Sequence, residues 1–175
     1  MSSICSFLMK VVGTEENITS FLEIVEHKKD TITGRNGLSV DYVNKHDTAP
    51  GQPCQMTISG TTVNSLYSSL LNDLTDCEKE KFQKKGKIII DFPSLCKSYD
   101  ITSEIFSEAD DIEEYVLCKP DSFHHEEAEF YNIWFDDRTM SKKDYEEEYD
   151  VKIPQGVWDN EDFYRQGGYL WKFSI

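Results

Sequence analysis

The sequence feature that most constrains the fold is an almost unbroken apolar run at residues 4–12. Only Ser6 and Lys10 are polar, and because they are four positions apart they would share one face of an extended strand. The opposite face can be buried along its whole length, and it carries Cys5, Phe7, Met9 and Val11. A strand this apolar is typical of the middle of a sheet, so we expect residues 4–12 to be a central strand with later strands paired around it.

A helix signal follows this strand directly. Gly13 ends the apolar run, and Thr14 is suited to cap a helix whose first turn carries two glutamates. The next apolar residues recur at helical spacing and are Ile18, Phe21, Leu22 and Val25. One stripe of this helix can therefore pack on the apolar face of the strand.

The middle of the chain carries two further strand signals and a second helix signal. Residues 38–43 alternate in part, and residues 55–59 form a short strand that we expect Gly60 to close. The second helix is expected to open at Thr61 or Thr62, because an amphipathic stripe follows. The residues of this stripe are Val63, Leu66, Tyr67, Leu70, Leu71 and Leu74.

The last third of the chain is dominated by strand signals. Residues 101–106 and 112–119 are expected to pair as a hairpin with an acidic tip. Residues 120–125 would connect this hairpin to a third strand at 127–135. Residues 169–175 alternate cleanly and should form a closing strand.

This order of elements predicts an α+β fold. We expect a ferredoxin-like antiparallel sheet with helices packed on one face, elaborated by extra C-terminal strands. The length of 175 residues fits one domain, with a core of about residues 1–135 and an acidic C-terminal extension at 136–175.

The net charge of −15 is the strongest compositional signal, and it is unevenly distributed. Residues 1–100 carry 13 acidic and 11 basic residues, whereas residues 101–175 carry 20 and 7. A net charge of −13 in the last 75 residues repels phosphates and attracts basic surfaces. We therefore expect a basic protein partner and no binding of free nucleic acid. The alternative is an acidic surface that serves only solubility.

Five cysteines at scattered positions suggest neither a disulfide framework nor a zinc site. We expect all five to be free thiols. No apolar run approaches the roughly 20 residues needed to cross a bilayer, so no membrane association is expected. The N-terminus lacks the pattern of a secretory signal, which favours a cytoplasmic protein.

Three stretches resemble the YubB-like family of plasmid and phage proteins. They are residues 5–13, the Ser59-Gly60 pair, and residues 105–108 leading into the hairpin with Glu113, Glu114 and Tyr115. The resemblance covers roughly residues 1–133 and implies an elaborated ferredoxin-like fold. Some anti-CRISPR proteins directed at type II systems resemble this fold, which implies an anti-defence role for a protein of a mobile element.

Carboxylates on the predicted hairpin are the first candidate site. If Glu104, Glu108, Glu113 and Glu114 came together, they could hold a divalent metal, or one could act as a general base. In this nuclease interpretation the catalytic residues would be Glu104, Glu108 and Glu114. The alternative is an exposed strand face, and no cofactor is then expected.

The His124-His125 pair is the second candidate. Adjacent side chains of an extended segment point to opposite sides, so the two histidines would not share one metal. We expect a polar connecting loop here, with a catalytic histidine as the alternative.

A protein interface is the third candidate, because aromatic residues around Trp158 lie among acidic ones. Alternatively, these rings fill the space under a loop. The residues predicted to contact a partner are Glu108, Asp110, Asp111, Glu113, Glu146, Glu147, Glu148 and Trp158.

The resemblance, together with the small size and the strong acidity, thus implies an anti-CRISPR inhibitor that binds an effector nuclease, or its guide-RNA complex, through an acidic surface. One alternative is a small ribonuclease that truncates the guide RNA held by its partner. Another is an immunity protein that neutralises a toxin.

Overall fold

The structure is a computed structural model, and it describes residues 4–70, 73–109, 112–127, 131–132, 141–148, 150, 152, 164–166, 169–171 and 173–175. The chain divides into two compact units. The first comprises residues 1–128 together with Ile175, and the second comprises residues 129–174.

The first unit is built on a six-stranded antiparallel sheet with the strand order β3-β4-β1-β6-β7-β8. Its strands are β1 (Ile4–Gly13), β3 (Ser39–Lys45), β4 (Cys54–Val63), β6 (Thr102–Ala109), β7 (Ile112–Lys119) and β8 (Ser122–Glu127). A short parallel pair consists of β2 (Thr31–Ile32) and β5 (Ile88–Ile89). The helices are α1 (Glu15–Val25), α2 (Leu66–Leu70), α3 (Asp76–Lys84) and α4 (Phe92–Ser98).

The second unit contains a three-stranded sheet with the order β10-β11-β9. Its elements are β9 (Tyr131–Asn132), α5 (Lys142–Glu148), β10 (Tyr164–Gln166) and β11 (Tyr169–Trp171). The predicted α+β class is confirmed. None of the described helices combines the length and the apolarity needed to cross a bilayer.

Strand β1 is central, as predicted, and pairs with β4 on one side and β6 on the other. Its face with Phe7, Met9 and Val11 belongs to the main hydrophobic core. Buried residues of three helices join the same core, namely Ile18, Phe21, Ile24 and Val25 of α1, Leu66 and Leu70 of α2, and Phe92, Leu95 and Cys96 of α4. The alternation in the sequence therefore correctly identifies the face of β1 that packs into the hydrophobic core.

Helix α1 begins as predicted. The Thr14 side chain accepts a hydrogen bond from the backbone N–H of Asn17, and Glu15 and Glu16 occupy the first turn. This bond satisfies one of the donors that a helix start leaves without an intrahelical partner. Helix α4 uses the same device, because the Asp91 carboxylate accepts the N–H of Ser94.

The prediction that Gly60 closes its strand is wrong, because β4 continues through Gly60 to Val63. A Cβ atom at residue 60 would lie 2.0 Å from the backbone oxygen of Ser39 and 2.9 Å from Phe7 Cζ. Glycine is therefore required by close packing within the strand and does not mark its end. As a result the second helix begins at Leu66, not at Thr61 or Thr62.

The end of helix α1 carries a titrating group. His27 follows the helix at a φ of 57°, and its partial burial, with a smaller effect of Lys87, lowers its pKa from the ordinary 6.5. A lowered folded-state pKa means that the unfolded chain binds more protons as the pH falls below 6.5, so stability is lost in that range. Replacing His27 with Asn, which tolerates positive φ, should reduce this loss.

Urea denaturation of the wild type and His27→Asn on either side of pH 6.5 measures the effect. We expect the two proteins to differ in the pH dependence of the free energy of unfolding, with the steeper dependence in the wild type. Parallel curves for the two proteins would contradict the assignment to His27.

Candidate functional site

The pairing register of β6 and β7 decides which carboxylates share a face of the sheet. Glu108 lies opposite Glu113, and Ser107 lies opposite Glu114. Because side chains alternate along a strand, Glu104 and Glu108 lie on one face and Glu114 lies on the other. The three residues of the nuclease interpretation therefore do not form one cluster. Among the described residues, no group of three or more His, Cys, Asp or Glu side chains could hold a metal ion.

Glu104 is not the exposed carboxylate that the strand-face interpretation expects, because it is only 1% exposed. Its carboxylate accepts hydrogen bonds from the Tyr115 hydroxyl at 2.8 Å and from the backbone N–H of Ile175 at 3.1 Å. Lys10 Nζ donates to the backbone oxygen of the same Ile175. These contacts give Glu104 a structural role in holding residue 175 on the sheet.

Glu114 is also buried, with 2% of its surface exposed. Its carboxylate accepts the backbone N–H groups of Leu66 at 2.7 Å and Tyr67 at 3.2 Å, which open helix α2. It also contacts Ser107 Oγ at 3.5 Å and His125 Nε2 at 3.1 Å. A buried carboxylate surrounded by donors in this way is held in one position.

The two histidines lie on a strand, so the predicted connecting loop at 120–125 is wrong. Pro120 and Asp121 alone form the turn, and β8 then pairs with β7, placing His125 opposite Val116 and His124 opposite Leu117. The prediction that the histidines point to opposite sides agrees with their contacts. His125 meets Glu114, whereas His124 lies near the Tyr115 ring at 6.0 Å.

His125 joins the buried carboxylate to the protein surface. Its side chain is 20% exposed, and its ring lies 5.7 Å from the Tyr67 ring at an interplanar angle of 38°. When Nε2 donates its proton to Glu114, the lone pair lies on Nδ1, which is the tautomer of a proton acceptor. Glu114 therefore orients His125 as a carboxylate orients the histidine of a catalytic dyad.

An open cavity of about 540 Å³ adjoins this histidine. It is lined by Tyr67, Asp91, Pro93, Phe123, His124 and His125. Tyr67 is 46% exposed and Phe123 is 41% exposed, so both rings are accessible. Sequence patterns do not predict this cavity, because the helical spacing puts Tyr67 on the buried stripe of the second helix and Phe123 belongs to no predicted strand. A Pro-Asp turn between two alternating runs is the signal that could have placed Phe123 and His125 on a strand.

The predicted acidic residues on helix α5 differ in how exposed their side chains are. Glu146 is 12% exposed and pairs with Lys142 at 3.0 Å and Lys152 at 3.7 Å. Glu147 is 68% exposed, with Lys143 at 3.7 Å, and Glu148 is exposed. Glu147 and Glu148 are therefore the residues of this trio that can meet a partner.

Some predicted contact residues fall outside the described part of the chain. Asp110, Asp111 and Trp158 lie there, and for Glu113 the structure gives only its place on β7. The tip of the hairpin and the aromatic loop therefore stay predictions.

The thiols do not supply a nucleophile to the site. All five cysteines are free, and Cys5, Cys96 and Cys118 are buried. Burial raises the pKa of Cys5 to about 11, against the opposing hydrogen bond from Ser107. The neighbouring Cys118 thiol and burial both raise the pKa of Cys96. Thiolates are the reactive form, so Cys5 and Cys96, whose pKa values are raised, are inert at neutral pH.

The arrangement around His125 can orient a proton acceptor, and the exposed rings beside it can stack on a flat group. No protein-family model, curated protein or solved structure matches this chain.

Proposed function

We propose that the protein is an anti-defence inhibitor of a mobile element that binds a basic surface of a type II CRISPR effector, or of its guide-RNA complex. The observation that carries the basic partner is the concentration of acid in residues 101–175, which contain 20 acidic and 7 basic residues. The anti-defence role is what the resemblance to the YubB-like family implies. Such a field accelerates encounter with a basic groove and competes with nucleic acid for it. The inhibitor would act in the cytoplasm of the host cell.

Exposed carboxylates on helix α5 support this proposal. Glu147 and Glu148 remain accessible, and the exposed Lys143 at 3.7 Å from Glu147 is too weak a partner to cancel the charge of that carboxylate. The β6–β7 hairpin supplies a second acidic region in the first unit, with Glu108 and Glu113 opposite each other.

We also propose that the sheet is an elaborated ferredoxin-like one. The order β3-β4-β1-β6 supports this, because the antiparallel strand β4 separates β1 from β3 as in a split βαβ unit. Strands β7 and β8 would then be the elaboration. This arrangement agrees with the resemblance to the YubB-like family.

Charge reversal at Glu147 and Glu148 tests the binding proposal. The double variant Glu147→Lys/Glu148→Lys should bind a guide-RNA-loaded type II effector about tenfold or more weakly, because lysines would then face a basic surface. Binding of the wild type should also weaken steeply as salt is raised. Surface plasmon resonance at several salt concentrations measures both effects.

A matched control is the double variant Asp41→Lys/Asp47→Lys. It makes the same change in net charge at two exposed residues of the first 100, where the acid excess is small. We expect its affinity to stay within about twofold of the wild type. Equal losses in the two double variants, or binding that does not respond to salt, would contradict an acidic interface on α5.

A guide-RNA ribonuclease is the second candidate, and the Glu114–His125 pair is the observation that favours it. His125 Nδ1 would accept the proton of an RNA 2′-hydroxyl as that oxygen attacks the neighbouring phosphate. A 2′,3′-cyclic phosphate would form as the P–O5′ bond breaks, and the 5′-oxygen would leave with a proton taken from water. The partner would have to hold the RNA, since the net charge of −15 opposes phosphate binding. His125→Gln should then abolish RNA shortening, measured on a denaturing gel, while circular dichroism shows that the variant stays folded. If the guide RNA keeps its length with the wild type, this candidate is wrong.

A further inference from the structure

The cavity beside His125 places two accessible aromatic rings near each other. Tyr67 and Phe123 are both more than 40% exposed, and the His125 ring lies 5.7 Å from the Tyr67 ring. Large aromatic side chains usually bury most of their surface, so exposed rings around one cavity mark a binding site. The faces of such rings carry negative potential, which attracts cations.

Carboxylates strengthen this negative potential. The Asp91 carboxylate is exposed on the cavity wall, where it also caps helix α4. Glu114 lies behind the His125 ring at 3.1 Å from Nε2. Lysine and arginine are absent from the residues that line the cavity in the described part of the chain. A cationic group that enters the cavity would thus contact a carboxylate and the faces of aromatic rings.

A flat cation matches these walls best. The guanidinium of arginine stacks on aromatic rings and donates two parallel hydrogen bonds to a carboxylate, whereas the ammonium of lysine is compact and strongly hydrated. A nucleobase could also stack on Tyr67, but its phosphates would enter a region of negative charge. Charge complementarity therefore favours arginine over a nucleotide.

We infer that the cavity lined by Tyr67, Asp91, Phe123 and His125 binds an arginine side chain of the basic partner. The guanidinium stacks on Tyr67 and donates to the Asp91 carboxylate. This inference rests on the proposed function, because it assigns one anchoring contact to the proposed basic partner. Arginine is among the residues most enriched at binding hot spots, which suits an anchoring contact of this kind.

The test uses the tripeptide acetyl-Gly-Arg-Gly-amide with the full-length protein. Binding is followed by NMR shifts of the aromatic side chains. We expect saturable shifts at Tyr67, Phe123 and His125, and weaker binding of the matching lysine peptide. Tyr67→Leu and Asp91→Asn should each weaken arginine binding by about two- to fivefold. Asparagine is as good a helix cap as aspartate, so Asp91→Asn should keep α4 folded.

Tyr42→Leu is the matched control, because Tyr42 is 64% exposed on strand β3 and does not line the cavity. It should bind the arginine peptide as the wild type does. The inference is overturned if a citrulline peptide, which lacks the charge, binds as well as the arginine peptide. It is also overturned if Tyr67→Leu and Asp91→Asn both bind normally, or if a uridine dinucleotide binds the cavity more tightly than the arginine peptide.

These results separate the cavity from the broader proposal. The Glu147→Lys/Glu148→Lys variant should bind the arginine peptide normally, since neither residue lines the cavity. If the peptide fails to bind while the effector still binds in a salt-dependent manner, the arginine site is wrong and the acidic interface stands. If the peptide binds and the effector does not, the arginine site is supported and the proposal of a type II effector as the partner is wrong.

Discussion

Replacing Glu114 with alanine should lower the free energy of unfolding by about 3 kcal/mol, because each buried donor left without an acceptor costs about 1–3 kcal/mol. The carboxylate accepts the backbone N–H groups of Leu66 and Tyr67 and contacts Ser107 and His125. The alanine side chain cannot accept any of these hydrogen bonds. Water can hardly replace the lost carboxylate oxygens, because the Glu114 side chain is only 3% exposed. Urea denaturation followed by circular dichroism measures the loss.

Two variants sharpen this experiment. Glu114→Gln keeps one acceptor oxygen and the side-chain volume, so it should cost less than alanine. Asp47→Ala removes an exposed carboxylate of the same unit and should cost well under about 1 kcal/mol. A loss of similar size in Glu114→Ala and Asp47→Ala would mean that the buried network does not stabilise the fold.

The same network links stability to the candidate site. Glu114 fixes the start of α2, which carries Tyr67, and it fixes the ring of His125. Both aromatic groups line the cavity. Glu114→Gln should therefore disturb arginine binding at Tyr67 even where the protein stays folded. NMR shifts of the Tyr67 and His125 rings in this variant report that change directly.

Local signals predicted the first third of the fold well. The alternation of residues 4–12 and the Thr14 cap depend on neighbours in sequence, so the central strand and helix α1 are readable from the chain alone. Gly60 shows the limit of such signals. Its role comes from Ser39 and Phe7, which pack against it across β3 and β1, and a glycine required by close packing looks like a strand breaker in sequence.

The candidate site was harder to predict because both faces of strand β7 carry polar as well as apolar side chains. Glu114, Val116 and Cys118 are buried on one side, whereas Tyr115 and Leu117 are partly buried on the other. Neither face is clearly apolar, so only the pairing register shows which glutamate enters the core. The histidine pair was predicted to lie in a loop for a related reason. Polar residues on an edge strand give the same sequence pattern as the polar residues of a connecting loop.

Replacing Phe7 with alanine tests the central strand and should cost on the order of 3 kcal/mol or more. Phe7 is 5% exposed on β1, and its ring packs against the bare backbone at Gly60. Alanine would leave a cavity between sheet and helices that neighbouring strands cannot close, because β1 is paired on both sides. Tyr42→Ala on the outer strand β3 removes a comparable ring that is 64% exposed, and it should cost well under about 1 kcal/mol. Chemical denaturation of both variants measures the difference, and a loss below about 1 kcal/mol for Phe7→Ala would show that β1 does not organise the core.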